Sequence, residues 1–211
     1  MKDIIIVGAR GYGREIYDFI LSLNKIKKVF SIKGFLDDKI DALDAFFGYA
    51  PIISSVEDYR PENEDYFICA LGGTEARAKY TNLIKKKGGK FVSLIHPTVL
   101  LCDNVRLGEG IVISAYCTIS SNVTIGDFTI IHPFCDIGHD TLIENNCSIE
   151  SYCFFGGFSH IGNNVTLHPR STILPHIVVG DGASVGAGSV VIKNVRAGIN
   201  VFGMPAKKIE F

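Results

Sequence analysis

Residues 107–131 read LGEGIVISAYCTISSNVTIGDFTII, and a large aliphatic residue recurs at every sixth position of this stretch. The same period extends in both directions, so that every sixth residue from Ile95 to Val191 is apolar. An α-helix repeats every 3.6 residues and a strand every two, so neither element alone produces this pattern. A period of six is typical of a short strand followed by a tight turn, repeated along the chain.

The residues between the large apolar positions also follow the period. Four residues after each large residue lies a small or β-branched one, and glycine often follows the large residue directly, as at Gly108 and Gly126. We interpret the large residue as filling a core, the small residue as fitting a corner, and the glycine as supplying the turn dihedral angles. Three such sides close a coil of about 18 residues, so residues 95–190 form a little over five coils.

Residues 1–92 lack this repeat. Ile4–Val7 predicts a strand, a glycine-rich turn and an amphipathic helix follow, and Val29–Leu36 and Tyr66–Leu71 predict two further strands. Alternating strands and helices are typical of a parallel α/β domain. We therefore expect a Rossmann-like α/β domain over residues 1–92 and a parallel β-helix with a C-terminal tail over residues 93–211.

The turn after the first strand has the pattern G-x-x-G-x-G, formed by Gly8, Gly11 and Gly13. Glycines let the backbone approach a phosphate, and a helix N-terminus attracts the anion. The spacing differs from the dinucleotide-binding G-x-G-x-x-G, and such turns also occur without a ligand. Asp37 and Asp38 end the second strand, where a carboxylate would accept hydrogen bonds from a ribose or a base; alternatively, they begin a polar loop.

Composition excludes several classes of protein. The chain has a net charge of −1, which argues against a nucleic-acid partner. No apolar run approaches the roughly 18 residues of a membrane-spanning helix, so we expect no membrane insertion. The N-terminus leads directly into a strand rather than a signal peptide, and the six cysteines form no CxxC pair. We therefore expect a cytoplasmic protein with reduced thiols.

His139 is the strongest candidate for chemistry, because Asp140 follows it and the third hexad position should point outward. A carboxylate beside an imidazole fixes its tautomer and stabilises the imidazolium, and imidazole titrates near neutral pH. This pair suits general-base catalysis, although a solvated histidine is the alternative. Gly157 lies one coil after His139, which predicts an open slot above the imidazole for a pantetheine arm. Alternatively, the glycine only relieves crowding at the corner next to Phe155.

Three other histidines, His96, His132 and His168, precede prolines and are spaced by 36 residues. They would lie two coils, or roughly 10 Å, apart, which is too far for a shared metal. We interpret them as surface or turn residues and expect no metal site.

In these motifs the chain resembles the bacterial sugar acetyltransferases of the hexapeptide-repeat superfamily. It is most similar to the UDP-4-amino-sugar N-acetyltransferases of the bacillosamine pathway, the perosamine enzymes and the sialic acid O-acetyltransferases. The matching segments are the glycine turn within residues 4–15, GFLDD at 34–38, ALG at 70–72 with Arg77, IHP at 95–97, GHD at 138–140, the hexads, and VFGMPAK at 201–207. The resemblance implies a left-handed parallel β-helix after a Rossmann-like nucleotide-sugar-binding domain.

The resemblance also implies acetyl-CoA as donor, a nucleotide-activated amino sugar as acceptor, and active sites between the β-helices of a homotrimer. His139 matches the family's catalytic base and Asp140 its orienting acid. In the bacillosamine enzymes a second histidine, nine residues after the base, contacts acetyl-CoA; here that residue is Ser148. The implied acetyl-CoA-binding residues are Ser148, Gly156, Gly157 and Ala187. The implied acceptor-binding residues are Gly8, Gly11, Tyr12, Gly13, Asp37, Asp38 and Gly72.

The favoured function is acetyl transfer to the amine of a UDP-linked amino sugar, with His139 as base and a backbone N–H near Gly156–Gly157 as oxyanion donor. One alternative is O-acetylation of a sialic acid or another glycan, and another is a non-catalytic trimeric scaffold or nucleotide sensor. A trimer is also expected because a lone β-helix would expose outward aliphatic residues. These residues are Leu100, Ile130, Leu142 and Val178.

Overall fold

The computed structural model describes residues 2–209 and separates into two units, Met1–Ser93 and Leu94–Phe211. The first unit contains a five-stranded parallel sheet and two helices. Its elements are β1 (Lys2–Val7), α1 (Gly11–Ile26), β2 (Phe30–Leu36), β3 (Ile52–Ser54), β4 (Asp65–Cys69), α2 (Thr74–Lys86) and β5 (Lys90–Phe91). Within residues 2–209, no helix has the length and apolar character needed to cross a membrane.

The sheet of the first unit has the strand order β3-β2-β1-β4-β5. Strand β1 lies at its centre, and the unbroken aliphatic run Ile4–Val7 is fully buried, as expected for a parallel strand covered on both faces. The chain proceeds from β1 to β2 on one side, whereas β4 lies on the other. The carboxyl ends of β1 and β4 therefore flank a topological switch point, where open α/β sheets bind ligands.

The second unit is a parallel β-helix with three faces, in which strands pair 18 residues apart, as Leu94 does with Val112, up to the last parallel pair of face 1, in which Ser184 and Asn200 are 16 residues apart. Face 1 consists of Leu94–Ile95, Val112–Ile113, Ile130–Ile131, Ser148–Ile149, Thr166–Leu167, Ser184–Val185, Asn200–Phe202 and the antiparallel Lys207–Lys208. Face 2 consists of Leu100–Leu101, Thr118–Ile119, Asp136–Ile137, Phe154–Phe155, Thr172–Ile173 and Val190–Val191. Face 3 consists of Arg106–Leu107, Thr124–Ile125, Leu142–Ile143, His160–Ile161 and Val178–Val179. An α/β domain followed by a parallel β-helix confirms the expected fold class.

The large residue of each hexad forms the core of the β-helix. From Ile113 to Val191 these side chains are at most 1% exposed, whereas Leu101 in the first coil is 40% exposed. The small inward positions are buried as well. They include four of the free cysteines, Cys117, Cys135, Cys147 and Cys153, which confirms their predicted structural role. Hydrogen bonding to Cys135 and burial raise the pKa of the Cys117 thiol, so it stays protonated and unreactive.

The expectation that glycine supplies the turn dihedral angles directly after each large residue is wrong. Left-handed backbone recurs instead at the third residue after each large residue, two positions beyond the glycine. Twelve non-glycine residues at this hexad position, from Asn104 to His176, have φ between 56° and 64°. The glycines instead make room for the next coil. At Gly108 a Cβ would collide with the side chain of Asp127, whose Oδ1 accepts the Glu109 N–H at 2.9 Å.

The outward aliphatic residues are only partly exposed. Leu100, Leu142 and Val178 are 59%, 36% and 39% exposed, as the sequence predicts for an uncovered β-helix surface. Ile130 differs, because it is 1% exposed within the single chain. It therefore gives no reason to expect a partner subunit.

Candidate active site

His139 lies at the corner between the face 2 strand Asp136–Ile137 and the face 3 strand Leu142–Ile143. Its side chain points outward and is 58% exposed. Its Nδ1 donates to Asp140 Oδ2 at 2.8 Å, and no group within residues 2–209 bonds its Nε2. Asp140 adopts the left-handed conformation, with φ of 56°, which non-glycine residues such as aspartate tolerate best. The pair therefore presents an oriented imidazole with its second nitrogen open.

The next coil holds the His139 ring in place. A Cβ at Gly157 would lie 2.7 Å from both Cε1 and Nε2 of the ring, so the imidazole occupies the space that a side chain at residue 157 would fill. The Phe158 ring stands perpendicular to it, with centroids 5.2 Å apart, and stacks in turn on His176. The expected open slot above His139 is therefore wrong: the absence of a side chain at Gly157 admits the histidine itself.

Asn122, one coil before Asp140, completes the cluster. Its Nδ2 donates to Asp140 Oδ1 at 3.2 Å, so the two carboxylate oxygens bind different partners. Sequence analysis missed Asn122, although its separation of 18 residues from Asp140 places both in one column of the β-helix.

A second histidine–carboxylate pair lies on face 3. His160 Nε2 is 2.6 Å from Glu144 Oε1, and Asn163 Nδ2 donates to the other oxygen of Glu144. This pair has the reverse orientation, because its carboxylate holds Nε2 rather than Nδ1. In the serine protease triad, the acid holds Nδ1 and leaves Nε2 free to accept a proton. His139 matches that arrangement and His160 does not.

The remaining acetyl-CoA-binding candidates divide into two groups. Gly156 and Gly157 lie at the corner next to His139. Ser148 lies on face 1 and is buried, and Ala187 is exposed at the corner that follows face 1. A single chain therefore does not bring Ser148 or Ala187 to the His139 corner.

A cavity of about 340 Å³ opens in the first unit at the carboxyl ends of β1, β2 and β4. It is lined by Val7, Gly8, Arg10, Tyr12, Leu36, Asp37, Asp38, Val56, Ala70, Leu71, Gly72, Ala76 and Tyr80. Five of the seven acceptor-binding candidates are therefore among its lining residues. Gly11 and Gly13 are the other two. Gly13 lets α1 pack against the Gly8 carbonyl, and Gly11 begins α1 facing open space.

The two aspartates at the end of β2 have different environments. Asp37 is buried, and its Oδ2 and Oδ1 accept the N–H groups of Ala9 and Lys39, each at 2.9 Å. Asp37 therefore fixes the glycine turn. Asp38 is exposed, and its Oδ2 accepts the Tyr80 hydroxyl at 2.7 Å, so its carboxylate is the one available to a ligand.

Arg10 and Tyr12 also line this cavity, and Arg77 supports one of its loops. Buried Arg77 donates from Nη1 to the carbonyls of Leu71 and Gly72, at 2.8 and 3.1 Å, and so fixes the loop after β4. Burial raises the pKa of the Tyr12 phenol well above its usual range, which keeps this wall of the cavity neutral. Arg10 is the exposed cation at the rim, with Nη2 3.9 Å from Asp37. Sequence analysis did not select Arg10 or Tyr80, although Arg10 lies inside the glycine turn.

No group of three or more His, Cys, Asp or Glu side chains in the described part of the chain is arranged to hold a metal ion.

Comparison with known families agrees with this two-part construction. Residues 3–84 match the PglD N-terminal domain, and residues 122–157 and 158–193 each match the bacterial transferase hexapeptide (six repeats). UDP-N-acetylbacillosamine N-acetyltransferase of Bacillus subtilis (strain 168) is 25% identical over 119 residues, which cover 54% of this chain and 52% of that protein. The chain thus spans about half the length of this curated relative.

Two solved structures share the fold over nearly the full length. One is a histidine-to-asparagine mutant of perosamine N-acetyltransferase from Caulobacter crescentus in complex with CoA and GDP-perosamine, at 23% identity, covering 100% of this chain and 98% of that one, with a TM-score of 0.87. The other is the acetyltransferase domain of PglB from Neisseria gonorrhoeae FA1090, at 23% identity, covering 99% and 100%, also with a TM-score of 0.87. The chain therefore resembles the PglD N-terminal domain over residues 3–84 and the bacterial transferase hexapeptide over residues 122–193, each match covering less than half of its length.

Proposed function

We propose that this protein transfers an acetyl group from acetyl-CoA to the amine of a nucleotide-activated amino sugar, with His139 as general base. The observation that carries the proposal is the His139–Asp140 pair, in which Nδ1 is held at 2.8 Å and Nε2 is open. Similar proteins support the donor and the acceptor. One is named for a UDP amino sugar, and another was solved with CoA and GDP-perosamine.

In the proposed reaction the amine nitrogen attacks the thioester carbonyl and loses its proton to His139 Nε2. The C–N bond forms first and gives a tetrahedral oxyanion; as the carbonyl re-forms, the C–S bond breaks and CoA leaves as the thiol. Asp140 stabilises the imidazolium, which returns the proton to the leaving sulfur. For the oxyanion, the Gly156 N–H is already committed to the Ile173 carbonyl at 2.8 Å. The Gly157 N–H, which has no acceptor within residues 2–209, is the better donor.

The cavity of the first unit supplies the proposed nucleotide site. Backbone N–H groups at the start of α1 and the exposed guanidinium of Arg10 suit a diphosphate, and the Asp38 carboxylate suits ribose hydroxyls or a base N–H. We keep a UDP-linked sugar as the favoured acceptor, and GDP- and dTDP-linked sugars as the comparisons that test it.

We further propose that the enzyme is a homotrimer. Exposed Ala187 lies away from the His139 corner of its own chain, so it can contribute to an acetyl-CoA site there only from another copy, whereas Ser148 is buried within its own chain and supports no such contact. The exposed aliphatic residues Leu100, Leu142 and Val178 offer the apolar surface that such packing would bury.

Acetyl-CoA turnover with UDP-, GDP- and dTDP-linked amino sugars, and with a sialic acid, tests the function. We expect thiol release and N-acetylated product with a nucleotide amino sugar, and a loss of about 10²–10⁴-fold in kcat for His139→Ala. Because His139 is exposed, Tm should hardly change. His160→Ala is the matched control and should retain activity. Three outcomes would each contradict the proposal: O-acetylation of the sialic acid, the absence of turnover with every acceptor in the panel, or a fully active His139→Ala variant.

Gly157 and Gly138 should separate activity from folding. Alanine at 157 places its Cβ against the His139 ring, which can swing away, so we expect kcat to fall about tenfold with little change in Tm. Alanine at 138 places its Cβ 2.5 Å from the Phe155 carbonyl oxygen, a backbone atom that cannot move freely, so Tm should fall. Steady-state kinetics and thermal melts measure both effects. An active, stable Gly157→Ala enzyme would mean that the histidine is not positioned by this contact.

Asp38 and Asp37 should likewise differ. Asp38→Ala removes an exposed carboxylate from the cavity, so we expect the KM for the nucleotide sugar to rise about tenfold while the KM for acetyl-CoA stays unchanged. Asp37→Ala leaves two backbone N–H groups without their acceptors, so the main effect should be a lower Tm. Equal effects of Asp38→Ala on both KM values would place the nucleotide elsewhere.

A further inference from the structure

We propose that Asn122 is a positioning residue that acts on His139 through Asp140. The inference rests on the proposed role of His139 as base, and its starting point is the hydrogen bond from Asn122 Nδ2 to Asp140 Oδ1 at 3.2 Å. Asp140 Oδ2 accepts from His139 Nδ1 at 2.8 Å. The three side chains therefore form one chain of hydrogen bonds that ends at the open Nε2 of the imidazole.

The β-helix itself places Asn122 under Asp140. Both residues occupy the left-handed position of their hexads, with φ of 62° and 56°, and they lie 18 residues apart. The backbone of each residue is tied to the preceding coil, since the Asn122 N–H donates to the Asp103 carbonyl and the Asp140 N–H to the Ser121 carbonyl. The distance between the two side chains is therefore set by coil stacking.

The amide donor gives the Asp140 carboxylate a preferred rotation. With Oδ1 held by Asn122, Oδ2 faces Nδ1 of His139 and keeps the proton on that nitrogen. Without the amide, the half-exposed carboxylate can rotate, and the imidazole gains access to the tautomer that carries its proton on Nε2. That tautomer cannot accept a proton from the substrate amine at Nε2. Asn122 should therefore influence kcat rather than substrate binding.

A purely structural role for Asn122 predicts a different result. Asparagine is common in the left-handed conformation, and Asn122 could serve only that backbone requirement. Asn104 provides the comparison, because it occupies the same column one coil earlier, with φ of 60°, and its side chain makes no hydrogen bond within residues 2–209. Glycine accepts this conformation without strain, so Asn→Gly removes the side chain at either position and preserves the backbone.

The experiment compares Asn122→Gly with Asn104→Gly in the full-length protein. For Asn122→Gly we expect kcat to fall about fivefold, the scale of one hydrogen bond, with both KM values within twofold of the wild type. The imidazole ¹⁵N signals of His139 should show more of the Nε2–H tautomer. Asn104→Gly should leave kcat and these signals unchanged, and both variants should show similar Tm values.

Equal kcat values and equal His139 signals in the two variants would overturn the role of Asn122. The NMR measurement needs no acceptor sugar, so it reports on Asn122 even if the acceptor is misassigned. Failure of the proposed function would instead appear as a lack of turnover by the wild-type protein.

Discussion

Backbone hydrogen bonding that holds neighbouring coils in an 18-residue register is the constraint on which the active-site geometry depends. The Asp140 N–H donates to the Ser121 carbonyl at 3.0 Å, and the Phe158 N–H donates to the His139 carbonyl at 3.0 Å. These bonds fix three consecutive coils in register. Asn122 is thereby placed next to Asp140, and Gly157 next to His139, without any long-range loop. A rigid scaffold of this kind holds a catalytic side chain more accurately than a mobile loop can.

Glycine has three separate functions in this chain. Gly8 adopts φ of 99°, which the turn between β1 and α1 requires. Gly108 and Gly138 lack a Cβ because the adjacent coil leaves no space for one. Gly157 lacks a Cβ because the His139 ring occupies that position. The first two functions are structural, whereas the third links the packing of the β-helix directly to the proposed chemistry.

The sequence predicts the fold well because its strongest signal, the hexad, reports directly on the side chains that fill the core. Strands β3 and β5 escape prediction because they are three and two residues long and have no periodicity to detect. The His139–Asp140 pair is visible because the two residues are adjacent. The contribution of Asn122 and the contact between Gly157 and the imidazole depend on distances between coils. The 18-residue spacing places each pair in neighbouring coils, but it does not show that the side chains are in contact. Asp37 and Asp38 look equivalent in sequence, and only the N–H groups of Ala9 and Lys39 distinguish them.

The most direct test is a crystal structure of the protein with CoA and a nucleotide-linked amino sugar. We expect the sugar amine to lie within about 3.2 Å of His139 Nε2 in this complex. The Nδ1 atom should remain bonded to Asp140 in the complex. An amine positioned at His160, or beyond hydrogen-bond distance of His139 Nε2 in a fully occupied complex, would contradict the assignment of His139 as the base.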